Sequence, residues 1–92
     1  MEKYKILLVD DDPFILEGIG ADLESQGFNL TEASSGDQAL ELLSETNFDL
    51  VITDLVMENV DGLLVLKKAK AINPDTMVII LTGYGNMSSA IE

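Results

Sequence analysis

Four side chains in this 92-residue sequence stand where an apolar run ends in an oxygen donor. Asp10 and Asp11 follow Ile6-Leu7-Leu8-Val9, Asp54 follows Leu50-Val51-Ile52-Thr53, and Thr82 follows the run from Met77 to Leu81. Asp12 and Pro13 complete the first group as "LLVDDDP". Two carboxylates about 4 Å apart repel by roughly 4 kcal/mol at an effective dielectric near 20. A cluster of them must protonate, splay apart or take up a cation. Oxygen donors without nitrogen or sulfur select a hard ion, Mg²⁺ or Mn²⁺ in its place. Magnesium needs only one or two direct carboxylates, keeps several waters and commonly completes its shell with a phosphoryl oxygen.

Each of these residues also has a plainer use. Asp12 before Pro13 is the pattern of a helix N-cap with proline at the first helical position. Asp10 and Asp11 could be solvated turn residues, although two further acids are more than a cap needs. Asp54 could be an ordinary loop aspartate, and Thr82 could satisfy a strand end. Asp61-Gly62 reads as a turn and the start of a helix. Leu42, Leu43 and Leu66 read as core.

The elements that would carry these residues are legible in the hydrophobic pattern. Ile6–Val9, Leu50–Ile52 and Met77–Leu81 are continuous apolar runs, as expected of strands buried on both faces of a parallel sheet. Phe28–Ala33 alternates more and belongs at an edge. Leu16, Ile19 and Leu23 recur at helical spacing, with Gly27 as a stop. Ser35-x-x-Gln38 is a capping box opening a helix through Ala39, Leu40, Leu42 and Leu43. Val65, Ala69 and Ile72 line a third helix that Asn73-Pro74 ends. Asn86 would cap a fourth, barely one turn before Glu92. Short connections and right-handed crossovers then predict a doubly wound α/β fold, a parallel sheet with helices on both faces. Ligands of such sheets bind beyond the carboxyl ends of the strands. That rim gathers Asp10, Asp11, Asp54 and Thr82, with Ser34 and Ser35 after the second strand.

Composition narrows the chemistry. Seventeen acidic residues against five lysines give a formal charge of -12, yet 47% of the chain is hydrophobic. It therefore suits one modest globular domain spanning residues 1–92, not an acidic disordered tail. Such a surface repels phosphate backbones, which argues against nucleic-acid binding. Without cysteine or histidine there is no disulfide, thiolate site, histidine-ligated zinc or Ser-His-Asp triad. No apolar stretch reaches the length of a membrane span or a signal peptide. A soluble cytoplasmic domain is expected.

"ILLVDDDPFIL", "DLVITDLVMENVDGLLVL" and "VIILTGYG" together resemble the receiver domain of two-component response regulators. The likeness runs along the whole chain and lies in the joint spacing of acid pair, lone aspartate and threonine. It implies a flavodoxin-like sheet of order 2-1-3-4, with the family's fifth strand and helix absent here and the domain incomplete at its C-terminus. It implies a signalling domain, not an enzyme. Asp54 would accept a phosphoryl group from a histidine kinase or phosphotransfer protein. Asp11, Asp54 and the backbone carbonyl of Val56 would ligate Mg²⁺, with Asp10 acting mainly through water. Thr82 would be the switch hydroxyl, Gly83 would leave room for the phosphoryl group, and Val56 and Tyr84 would tune its loss.

One feature of the family has no counterpart. Its lysine and aromatic switch residue lie on strand five, whereas Lys3 and Lys5 open strand one and Lys67, Lys68 and Lys70 lie on the third helix. The uncovered edge of strand four is expected to pair with another copy as a homodimer, or to leave this chain weakly stable. Two other readings stay open on the residues alone. One is a Mg²⁺-dependent phosphatase using Asp10-x-Asp12, and the other is a non-catalytic interaction module.

Overall fold

Ile6, Leu7, Leu8 and Val9 are each at most 1% exposed, which a strand achieves only with a layer packed on both faces. The computed structural model describes residues 4–81 and the backbone of 89–91. Its elements run β1 (Lys5–Val9), α1 (Pro13–Ser25), β2 (Asn29–Ala33), α2 (Gly36–Glu45), β3 (Leu50–Asp54), α3 (Gly62–Ile72), β4 (Met77–Leu81) and β5 (Ser89–Ile91). β1 to β4 pair in parallel in the order β2-β1-β3-β4, as the sequence predicts. Register aligns their carboxyl ends. Val9 faces both Ala33 and Thr53, and Asp54 faces Leu81.

Alternation along the strands divides the core. Leu7, Val9, Val51, Val78 and Ile80 point to the side of α2 and α3, where Ala39, Leu43, Val65 and Ala69 meet them. Leu42 and Leu66 pack on that cluster from its margin. Ile6 and Leu8 point the other way, toward α1, which lies over β1 and β2. Ile72, placed on the inner stripe of the third helix by its spacing, is instead 41% exposed in the last turn.

Caps fix where the helices begin. Asp12 accepts from the Phe14 N–H at 2.9 Å with Pro13 at the first position of α1. Gly27 follows the end of α1 with a φ of 91°, a left-handed conformation that glycine adopts without a Cβ penalty. Ser35 Oγ accepts from Gln38 N at 3.1 Å. The reciprocal bond differs from a strict capping box, because Gln38 Oε1 accepts from the N–H of Ser34 at 2.8 Å. Asp61 caps α3 through Leu64 N at 3.0 Å.

The far edge departs from expectation. Ser89–Ile91 forms a short fifth strand, antiparallel to β4, pairing Leu81 with Ser89, Ile80 with Ala90 and Ile79 with Ile91. The sequence predicts no fifth strand and a helix start at Asn86, a residue outside the described ones. A single helical turn fixes several residues for one hydrogen bond, whereas an open strand edge offers unpaired N–H and C=O groups at once. The edge expected to recruit a second copy is therefore occupied along Ile79–Leu81.

Candidate metal centre

Two strand ends, those of β1 and β3, deliver three carboxylates to one place. One oxygen each from Asp10, Asp11 and Asp54 lies within 4.8 Å of the others. Asp10 leaves β1 with its N–H still in the ladder, donating to Ala33 O at 3.1 Å. Its side chain is buried, and Oδ1 accepts from the Asp12 N–H at 2.9 Å, which turns the carboxylate inward over the sheet. Asp11 is exposed at the rim, and Asp54 is half-buried at the end of β3.

The electrostatics are those of an uncompensated anionic cluster. Burial pushes the Asp10 carboxyl above its ordinary value, and the charges of Asp54, Asp11 and Asp12 push it further against the Asp12 N–H. Burial likewise raises Asp54, helped by Asp11, while the N–H groups of Val56 and Leu55 favour its ionised form. Among the described residues, the charges that act on the two groups are all carboxylates. Both are harder to ionise side by side than ordinary carboxyls, the condition a divalent ion relieves.

The donors fit magnesium in kind and spacing. All are oxygens, as a hard ion requires. Oxygens bound to one Mg²⁺ at about 2.1 Å sit roughly 3–4 Å apart, so a 4.8 Å spread closes with small side-chain rotations or one bridging water. Beside the acids an open depression of about 340 Å³ is lined by Asp11, Ser34, Ser35, Glu58 and Asn59.

The remaining candidates divide. Val56 lies two residues beyond Asp54 with its side chain 51% exposed and its N–H serving the carboxylate. Thr82, Gly83 and Tyr84 lie outside the described residues. Asp12 lends Oδ1 to the α1 cap and is not one of the three converging acids, whereas a phosphatase reading pairs it with Asp10.

Three neighbours of the site escape a reading by motif. Asn59 takes a φ of 65° in the loop after β3, a conformation that asparagine tolerates better than most residues. Gly62 abuts the backbone of Asp54 and Leu55, closely enough that a Cβ would overlap the Asp54 carbonyl oxygen. Thr53 is fully buried, and its hydroxyl donates to that same carbonyl at 3.0 Å. The available signals were faint: an asparagine in a loop, an Asp-Gly pair and one hydroxyl inside an apolar run.

Comparison with known proteins agrees with this geometry. The model of the response regulator receiver domain matches residues 6–92. The transcriptional regulatory protein ZraR of Escherichia coli K12 is 44% identical over 91 residues, covering 99% of this chain and 21% of its own length. The chain thus spans about a fifth of such curated relatives. A response regulator receiver domain protein from Clostridium thermocellum superposes with a TM-score of 0.82 at 40% identity, over 89% of this chain and 67% of that one. The response regulator TrrA of Thermotoga maritima, solved in complex with Mg(2+)-BeF, gives 0.82 at 35% identity, over 89% and 71%. With its strand order, its three converging aspartates and a family match over nearly its whole length, the chain belongs to the receiver domains of response regulators, which signal through phosphorylation.

Proposed function

We propose that residues 1–92 act as a phosphoacceptor unit in which Asp54 takes a phosphoryl group from the phosphohistidine of a cytoplasmic histidine kinase or phosphotransfer protein. The observation that carries this reading is the meeting of Asp10, Asp11 and Asp54 within 4.8 Å at the carboxyl ends of β1 and β3. An ionised Asp54 oxygen attacks phosphorus without a base, since a carboxylate is already a nucleophile. The new P–O bond forms as the P–N bond to imidazole breaks, and the departing nitrogen takes up a proton. The product is an acyl phosphate on Asp54, whose hydrolysis returns the free carboxylate.

Asp11, Asp54 and the Val56 carbonyl would hold Mg²⁺ directly, with Asp10 placed to act through water. Mn²⁺ suits the same donors. When bound, the ion supplies positive charge against the phosphoryl dianion and a template for its oxygens. The chain's own part is alignment. Asp10 is held by the Asp12 N–H, and Asp54 by its strand end and the amides that follow it. Thr82, one residue beyond β4, is the hydroxyl assigned to the new phosphoryl group. The strongly acidic surface opposes direct contact with nucleic acid. No described helix is long and apolar enough to cross a membrane.

Incubation with Mg²⁺ and acetyl phosphate, read by intact mass, tests the assignment. The wild-type chain should gain one phosphoryl group, and Asp54→Asn should gain none. If Asp54→Asn is still labelled while Asp10→Asn is not, Asp10 is the nucleophile and the proposal fails.

A further inference from the structure

We infer that Thr53 and Gly62 are positioning residues that hold the peptide following Asp54, and through it the carboxylate, in the geometry for metal binding and phosphoryl acceptance. This rests on the reading of Asp54 given above.

Thr53 is 0% exposed in the middle strand of the sheet, on the side of the main core. A hydroxyl buried there is costly unless bonded, and a β-branched valine would suit strand and core at least as well. Among the described residues, the hydroxyl's one hydrogen bond runs to the carbonyl of Asp54, at 3.0 Å. Its effect therefore falls on the acceptor's own main chain.

Gly62 meets the same peptide from α3. A Cβ there would overlap the Asp54 carbonyl oxygen while lying 2.9 Å from Leu55 Cα, and the Gly62 N–H donates to the carbonyl of the next peptide, Leu55 O, at 2.9 Å. The N–H of Leu55 meanwhile donates to Leu81 O at 2.9 Å. Hydroxyl, helix start and ladder bond together leave this peptide plane little freedom to tilt. A tilt would swing the Asp54 side chain away from Asp10 and Asp11. Displacements on the order of 1 Å at a reacting group can cost about 100-fold in rate.

Mg²⁺ titration of the 92-residue chain, followed by the amide NMR signals of Asp11, Asp54 and Leu55, tests this alongside thermal melts in EDTA. Thr53→Val should weaken Mg²⁺ about 10-fold, the scale seen when partners that orient a metal ligand are lost. Its Tm should equal or exceed wild type, a split that a purely structural role does not produce. Thr53→Ser, which keeps the hydroxyl, should restore affinity, and Thr53→Ala repeats the comparison without added bulk. Gly62→Ala should weaken Mg²⁺ to a similar degree. Wild-type affinity in Thr53→Val, or equal losses in Thr53→Val and Thr53→Ser, overturns the role of Thr53. Wild-type affinity in Gly62→Ala overturns that of Gly62. Asp54→Asn is the separate control: if it binds Mg²⁺ as well as wild type, the reading of the site itself is wrong, whatever the other variants do.

Discussion

Neutralising Asp54 should stabilise the metal-free chain. In Asp54→Asn one of three carboxylates loses its charge while the side chain keeps nearly the same shape. At the 4.8 Å limit of the cluster, a pair of unit charges repels by about 3.5 kcal/mol at an effective dielectric of 20. Asp54 is half-buried and Asp11 exposed, so water screens much of this, leaving about 1 kcal/mol. For a chain of this length that is a rise of about 4–8 °C in Tm. The assay is a thermal melt in EDTA at low ionic strength near neutral pH. Two controls identify the cause. The difference should shrink in molar salt, where the screening length falls to about 3 Å. It should also vanish at acid pH, because the folded-state pKa values of Asp10 and Asp54 are raised above ordinary. Raised groups hold protons longer in the folded state, so their contribution is fully favourable below the ordinary carboxylate range. It is lost as pH climbs through the folded values. An Asp54→Asn chain that melts at or below wild type in EDTA and low salt would refute the claim that the cluster is frustrated without metal.

Other consequences follow from the same geometry. Mg²⁺ should stabilise the wild-type chain in thermal melts by an amount that grows as pH climbs through the raised values of Asp10 and Asp54, reaching about 2.7 kcal/mol at a hundredfold excess over Kd, while Asp54→Asn responds weakly. Gly36→Ala should cost about 1–3 kcal/mol in denaturant melts, because a Cβ there would overlap the Val60 carbonyl oxygen. Asp12→Ala should lose about 1 kcal/mol with the α1 cap, yet leave Mg²⁺ affinity close to wild type, which a titration beside Asp11→Ala would separate.

What the sequence made legible was whatever one segment must do alone. β1 shows as an unbroken apolar run because both of its faces are covered, and β2 shows as an alternating edge strand with intermediate burial. Asp12, Ser35 and Asp61 show as caps because capping is a bond between near neighbours. The features that escaped depend on segments far apart in the chain. Met57 is buried in the main core from a loop, where no periodicity could announce it. The close approach of Gly62 to Asp54 exists only once α3 has packed on β3. β5 forms because β4 offers an edge to it, a fact about the partner that Ser89–Ile91 does not contain. The acids of the site were legible as residues at strand ends, and their meeting on one rim followed from the expected parallel order, in which β1 lies beside β3.

The placement of positive charge explains why a cation from outside should be needed. Lys5 opens β1, five residues before Asp10, which puts it roughly 16 Å from the rim along an extended strand. Lys67, Lys68 and Lys70 lie in the C-terminal half of α3, where they complement the negative end of the helix dipole. Among the described residues, the fold brings only partial positive charge to the rim. The N-terminus of α1 starts two residues beyond Asp11, and that of α3 abuts Asp54, each worth about half a unit charge at most. Against three carboxylates that is insufficient, and a phosphoryl dianion approaching Asp54 would add two more negative charges. A lysine placed among the acids would neutralise one of them permanently. A dissociable divalent ion compensates two charges and leaves coordination positions open for the incoming oxygens. On the proposed reading, the same rim would be strained when empty and receptive when loaded, and occupancy by the ion would control whether Asp54 can receive a phosphoryl group.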